Sequence, residues 1–420
     1  MFDRNGLFAL ILLLGLGTSV AVEARVMTGI EVLADDDYDL LAGKRVGLVT
    51  NPTGVDSNLR STVDHLAHAK NVKLVALFGP EHGVYGDEYA GEKVSNAKDP
   101  RTGLAIYSLY GGTRKPTSAM LQDIDVLVLD LQDIGSRSYT YISTMQLCLR
   151  ACAENHVKFM VLDRPNPLGG ERIEGPAHQP SAYSFVNAFD VPYVHGMTMG
   201  ELAKLEEANL RKGYPDLPKD LLKVVKMRGW DRKMTFEETG LPWVPTSPHI
   251  PKAPVSYYYA ATGLLGELSS ISIGVGYPLP FETIAAPSID ADDFAKAMNA
   301  LALPGVQFRP IHYKPFYGAF KGQTVHGVQI HLTDLKKVNL VEIQFIALDV
   351  LKKLYPSNNF FKKAESLELF DSTSGGPATR QWIESGKNVK ELFDLWHDSA
   401  EKFRDARSPY LLYDSGLFSL

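Results

Sequence analysis

Four stretches of the chain are apolar almost without interruption: "KRVGLVTN" (44–51), "VKLVALFGPEHG" (72–83), "IDVLVLDLQD" (124–133) and "VKFMVLDRPNP" (157–167). Each is short, rich in β-branched residues and free of polar alternation, the pattern of a strand covered on both faces. Between them run stretches of helical period, "LRSTVDHLAHAK" and "STMQLCLRACAENH". Strand alternating with helix predicts βαβ units: an α/β fold with a parallel sheet, helices on both faces and right-handed crossovers.

Further along, "VPYVHGMTMGELAKLEEANLR" predicts a helix from near Met199, and "LLKVVKMRGW" offers one more strand. The proline-rich "LPWVPTSPHIPKAPVS" (241–256) can be neither interior helix nor central strand, so it marks a boundary or an extended crossing segment. Beyond it, strand signals ("GVQIHLTD") mix with helical ones ("LVEIQFIALDVLKKLY", "LFDLWHDSAEKFRDARSPYLLY"). The opening "MFDRNGLFALILLLGLGTSVAVEARV" has Arg4 before an apolar run and small residues ending at Ala24, the layout of an export signal cleaved near Ala24. That run is shorter than the ~20 residues of a membrane span, so no stable membrane insertion is expected after cleavage. The chain therefore divides into a signal (1–24), a first domain (25–245) and a second domain (246–420).

Composition adds limits. Hydrophobic residues make up 45% and charged residues 22% of the 420, ordinary globular proportions with material for a large core. The formal net charge of -6 gives no basic footprint, so nucleic acid is not an expected partner. Cys148 and Cys152, four apart on a helical pattern, read as small core residues and not as a disulfide. An exported chain with no disulfide framework suits a bacterial periplasm or surface, hence a periplasmic or secreted location.

The strand pattern also points to a site. In an open parallel sheet, ligands occupy the crevice beyond the carboxyl ends of the strands. At those ends the chain places Asn51, then Glu81 and His82, then Asp130, Asp133 and Arg137, then Asp163, Arg164 and Asn166. No nucleophile elbow, P-loop, zincin motif or dinucleotide fingerprint is present, which disfavours those chemistries, and no cofactor or metal is implied. His65 and His68 share a predicted helix face, and without a third ligand they read as a surface pair. What remains is a carboxylate-rich cleft with arginine and tyrosine. Glycoside cleavage needs a proton donor at the leaving oxygen and a second group, commonly a carboxylate. Glu81, beside a buried strand, is the expected proton donor, because partial burial raises a carboxyl pKa. Asp133 is a second candidate. Arg137 offers a fork for a carboxylate, while Tyr139 and Tyr141 offer flat faces to sugar rings. Asp163 and Arg164 read equally well as an ion pair beneath the site.

Together, "GLVTNPTGVD", "LFGPEHGVYGDEYAGEKV", "DLQDIGSRSYTYISTM", "LDRPNPLGG", "EGP" and "VHGMTMGELA" resemble the bacterial exo-β-N-acetylmuramidase family, in order from about residue 27 to the C-terminus. The resemblance implies a Rossmann-like domain carrying the active site, followed by a smaller auxiliary domain with α+β character. It implies release of N-acetylmuramic acid, or a related amino sugar, from the non-reducing end of peptidoglycan fragments. It also makes Glu81, the glutamate of "GPEHG", the leading catalytic residue, with His82 and Asp133 beside it. Asn51, Arg137, Tyr139, Asp163, Arg164, Asn166, His195, Glu267 and Glu282 are the expected substrate-binding set. The segment "ELSSISIGVGYPLPFE" (267–282) departs from the family pattern: Ser270 and Val275 stand where an asparagine and an arginine are usual. That departure keeps open a non-catalytic, saccharide-binding protein on the same fold.

Overall fold

The computed structural model describes residues 25–89, 91–361 and 364–414. The expected export signal lies outside the described residues. Seven strands form the main sheet: β1 (Arg45–Thr50), β2 (Lys73–Gly79), β3 (Ala97–Lys98), β4 (Ala105–Ser108), β5 (Val126–Asp130), β6 (Lys158–Leu162) and β7 (Leu222–Val225). Their order is β3-β4-β2-β1-β5-β6-β7. Every pairing is parallel except β3 with β4. The chain leaves central β1 first toward β2 and later toward β5, so a crevice opens at the strand ends where the direction reverses.

Continuous apolar runs are needed because each strand feeds two cores. On one face Val46, Leu48, Val126, Val128 and Leu162 pack against α1 (Gly29–Asp35) and α2 (Thr62–His68). On the other, Val49, Phe78, Leu127, Leu129, Phe159 and Val161 pack against α3 (Ser118–Leu121), α4 (Tyr141–Asn155) and α5 (Met199–Gly213). Cys148 and Cys152 are free thiols buried in the second of these cores. Helix α5 begins where expected, at a capping box in which Thr198 and Glu201 satisfy each other's backbone N–H. One expectation fails: His65 is not at the surface beside His68. It is buried, with Nδ1 bonded to the Tyr38 hydroxyl (2.8 Å) and Nε2 to Asp56 (2.9 Å).

The second part starts at α6 (Val255–Gly266), directly after the proline-rich segment. It continues through β8 (Thr283–Ala286), α7 (Ala291–Ala300), β9 (Val306–Tyr313), β10 (Val325–Leu332), α8 (Leu340–Leu354), α9 (Ala364–Thr373), α10 (Ala378–Glu384) and α11 (Val389–Arg407). Its sheet is antiparallel, in the order β8-β10-β9. The end of the chain returns to the first sheet. Arg407 donates to the His195 carbonyl (2.9 Å), the Leu412 N–H to Glu201 (2.9 Å), and the Tyr413 hydroxyl to Asp163 (2.7 Å). Among the described residues no helix is long and apolar enough to cross a membrane.

Candidate active site

Glu81 follows β2 on a loop that bends sharply: His82, Gly83 and Gly86 have φ of 71°, 76° and 73°. That region is open to glycine and uncommon for other residues, which explains the glycine density of "EHGVYGDEYAG". The loop doubles back so that the Gly91 N–H donates to Glu81 Oε1 (2.9 Å). Thr140, the N-cap of α4, donates its hydroxyl to Oε2 (2.6 Å). His82 is buried and its Nδ1 bonds the Glu88 carbonyl (2.9 Å), which closes the loop.

A second carboxyl group comes from the other part of the chain. Glu267 stands at the end of α6, and among the described residues no side chain or N–H donates to it. Burial pushes it up to about 7, and the negative charge of Glu81 adds to the push. A cluster of tyrosines joins the two. The charge of Glu81 reaches Tyr139 and Tyr141, that of Glu267 reaches Tyr193 and Tyr259, and burial holds all four phenols above their ordinary value. Their hydroxyls are anchored. Tyr139 donates to Thr246 Oγ1 (2.8 Å), Tyr141 donates to the Thr246 carbonyl and accepts from Asn51 Nδ2 (2.8 Å), and Ser138 Oγ bonds Tyr193 (3.1 Å) and Tyr259 (3.0 Å).

The rim is aromatic. Tyr317 stacks on Tyr89 (centroids 6.0 Å apart, 20° between planes) and on His249 (5.7 Å, 29°). Tyr89 and Tyr317 are exposed, so their rings offer edges and faces of the kind that sugars pack on. Gly276 fixes the loop that carries Tyr317: its φ is 81°, its carbonyl accepts from the Phe316 N–H (2.8 Å), and a Cβ there would lie 2.1 Å from the Tyr317 carbonyl oxygen. Two carboxyl groups in unlike environments, bounded by tyrosines, can divide proton donation and charge stabilisation between them. Among the described residues no group of three His, Cys, Asp or Glu side chains is placed to hold a metal ion.

Two family models, described as the N-terminal and C-terminal parts of the exo-beta-N-acetylmuramidase NamZ, match residues 46–254 and 257–413. The chain belongs to the exo-β-N-acetylmuramidase family. As a family member it is an exo-acting glycosidase. It is similar to the peptidoglycan beta-N-acetylmuramidase NamZ of Bacillus subtilis (strain 168), 43% identical over 393 residues, which cover 94% of this chain and 92% of that one. Two solved DUF1343 family proteins of Bacteroides fragilis NCTC 9343 share the architecture. BF0371 is 48% identical with a TM-score of 0.86, covering 93% of this chain and 99% of that one. BF0379 is 28% identical with a TM-score of 0.72, covering 94% and 100%.

Within this exo-β-N-acetylmuramidase fold, many of the polar residues expected at the site lie beneath it. Arg164 pairs with Asp130 (2.5 and 2.9 Å), and not with Asp163. Asp163 caps α5 through the Gly200 N–H (2.8 Å) and the Thr198 hydroxyl (2.7 Å); burial pushes it up to about 6. Asn166 turns onto the Leu168 N–H (2.9 Å) and the Met197 carbonyl (3.0 Å). Arg137 has no exposed surface and, among the described residues, no carboxylate partner; its Nη atoms reach the carbonyls of Pro176 (2.9 Å), Val191 (2.5 Å) and Thr373 (3.3 Å). It neither faces a ligand nor pairs with Asp133. Asp133 is buried with Oδ1 unpartnered and Oδ2 accepting from the Gly135 N–H (2.7 Å), and burial pushes it up to about 7. His195 is fully buried and held down to about 3, so it stays neutral. Glu282 is half-buried and near Gln329 and Lys252. Tyr139 and Tyr141 are buried and meet edge to face (4.9 Å), and Tyr139 meets Tyr259 in the same way (5.9 Å), so neither offers an open face to a sugar. Sequence reasoning missed Thr140, Tyr259, His249 and Tyr317. Only Thr140 carried a signal, a threonine directly before a helical run.

Proposed function

We propose that this protein is an exported glycoside hydrolase that releases N-acetylmuramic acid from the non-reducing end of peptidoglycan fragments. The observation that carries the reading is the unequal carboxyl pair: Glu81 held by two donors, and Glu267 desolvated and pushed up to about 7. In this reading Glu267 keeps a proton near neutral pH and delivers it to the leaving oxygen, while Glu81 acts at the anomeric side. The proton donor expected at Glu81 thus moves to Glu267. The name of the Bacillus relative supports the substrate. A net charge of -6 disfavours nucleic acid as a partner, and the apolar start of the sequence supports a periplasmic or secreted location.

A second reading, a saccharide binder without turnover, is favoured by the 267–282 segment. The Ser270 hydroxyl donates to the Phe360 carbonyl, and Val275 offers no charge. Incubation with a chromogenic N-acetylmuramide and a matching N-acetylglucosaminide separates the two. Release from the muramide is the expected result; binding of the sugar with release from neither supports the binder.

A further inference from the structure

We infer that Arg114 is the cation that receives the carboxylate of an acidic sugar in this cleft, an inference that rests on the function proposed above. N-acetylmuramic acid differs from N-acetylglucosamine by a lactyl ether ending in a carboxylate. A site that prefers the acidic sugar needs a cation that no protein carboxylate already holds. Arg137 and Arg164 are excluded, since both are buried and bonded within the protein. Three other cations are engaged, Arg101 with Asp64, Lys115 with Glu154 (2.6 Å) and Lys252 facing Glu282, while Lys93 on the Glu81 loop is exposed and, among the described residues, has no aromatic ring to hold it in place.

Arg114 is exposed, and among the described residues no carboxylate or carbonyl pairs with it. It is nevertheless held in place. Its guanidinium carbon lies 4.1 Å from the ring centre of Phe185 and 5.1 Å from that of Tyr110, and the two rings pack at 5.8 Å. The turn beneath is fixed by Thr113, whose hydroxyl donates to the Lys115 carbonyl (2.6 Å) and accepts from its N–H (3.2 Å). Contact with aromatic faces leaves the in-plane N–H fork free for a planar carboxylate. Tyr110 connects this cation to the chemistry: Arg114 and Glu81 both act on its hydroxyl, from opposite signs. Arg114 therefore sits one aromatic ring from the carboxylate of Glu81.

The test measures binding of free N-acetylmuramic acid and N-acetylglucosamine, and hydrolysis of the chromogenic muramide, for wild type, Arg114→Gln, Arg114→Lys and Lys93→Gln. Lys93 is the control, an exposed cation on the Glu81 loop with no rings holding it. Arg114→Gln is expected to weaken the acidic sugar by about ten- to a hundredfold while N-acetylglucosamine stays within about twofold, the range for loss of a charge-assisted hydrogen bond. Arg114→Lys should fall between, because an ammonium keeps the charge and loses the fork. Added salt should weaken acidic-sugar binding in wild type and much less in Arg114→Gln. Equal weakening of both sugars, no change in either, or a selective loss in Lys93→Gln instead would overturn the inference. Selective binding through Arg114 without hydrolysis would uphold it and overturn the proposed catalysis; wild type that binds neither sugar would overturn both.

Discussion

A carboxyl group keeps its proton near neutral pH where water is kept away and no donor steadies its anion, and burial puts Glu267 in that position. If Glu267 is the acid, kcat/KM should fall as pH rises through about 7. Replacing either carboxylate should cost roughly 10² to 10⁴ in kcat. The two losses should differ in kind: residual activity of Glu81→Gln should keep the alkaline fall, and that of Glu267→Gln should lose it. Pre-steady-state or single-turnover rates across pH check this; an unchanged limb in Glu267→Gln would place the acid elsewhere. Glu81 was legible in the sequence because a strand end, a proline and four glycines surround it. The state of Glu267 was not, because it depends on burial and on the charge of Glu81, which lies far off in sequence. Arg137 misled for the same reason, since a guanidinium beside a strand end reads alike whether it faces ligand or carbonyls.

At the level of elements, the long central strands and the edge strand β7 were legible, and the short strands β3 and β4 were not. β1, β2, β5 and β6 must serve two cores and so become unbroken apolar runs, whereas β3, with two exposed residues, serves none. Contacts between loops left even less trace. Arg137 ties residues 176 and 191 to residue 373 through three carbonyls, joining the two parts of the chain. Arg137→Lys cannot span all three, and leaving buried carbonyls unpaired should lower stability by about 2–4 kcal/mol, read as a lower melting temperature with similar changes in KM for acidic and neutral sugars. Gly276→Ala tests the other junction. Its Cβ would overlap the Tyr317 carbonyl at a positive φ, a strain of about 1–3 kcal/mol. The expected outcome is a raised KM with kcat nearly unchanged, because Tyr317 moves and the carboxyl pair does not.

The molecule as a whole carries an unusual set of protons. Burial raises Asp133 to about 7, Asp163 to about 6 and Glu267 to about 7, against ordinary values of 3.8, 3.8 and 4.5. Each holds a proton in the folded state that the unfolded chain has released, so its contribution is full below the ordinary value and is lost as pH rises through the folded one. His195, lowered from 6.5 to about 3, acts in the opposite sense and loses its contribution as pH falls. Three groups outweigh one between the ordinary carboxyl range and about 6, so the melting temperature should rise as pH is taken from about 7 to about 5. Asp133→Asn should flatten that dependence; a melting temperature that falls over the same interval in wild type would contradict it. One of these carboxyls, Asp163, is bonded by Tyr413, almost the last described residue. The ribosome therefore makes the partner of a β6 strand end some 250 positions after the strand itself. Until that tail emerges Asp163 has its Gly200 and Thr198 donors but lacks the Tyr413 hydroxyl, so the first sheet gains its last buried contact only when nearly the whole chain has been made.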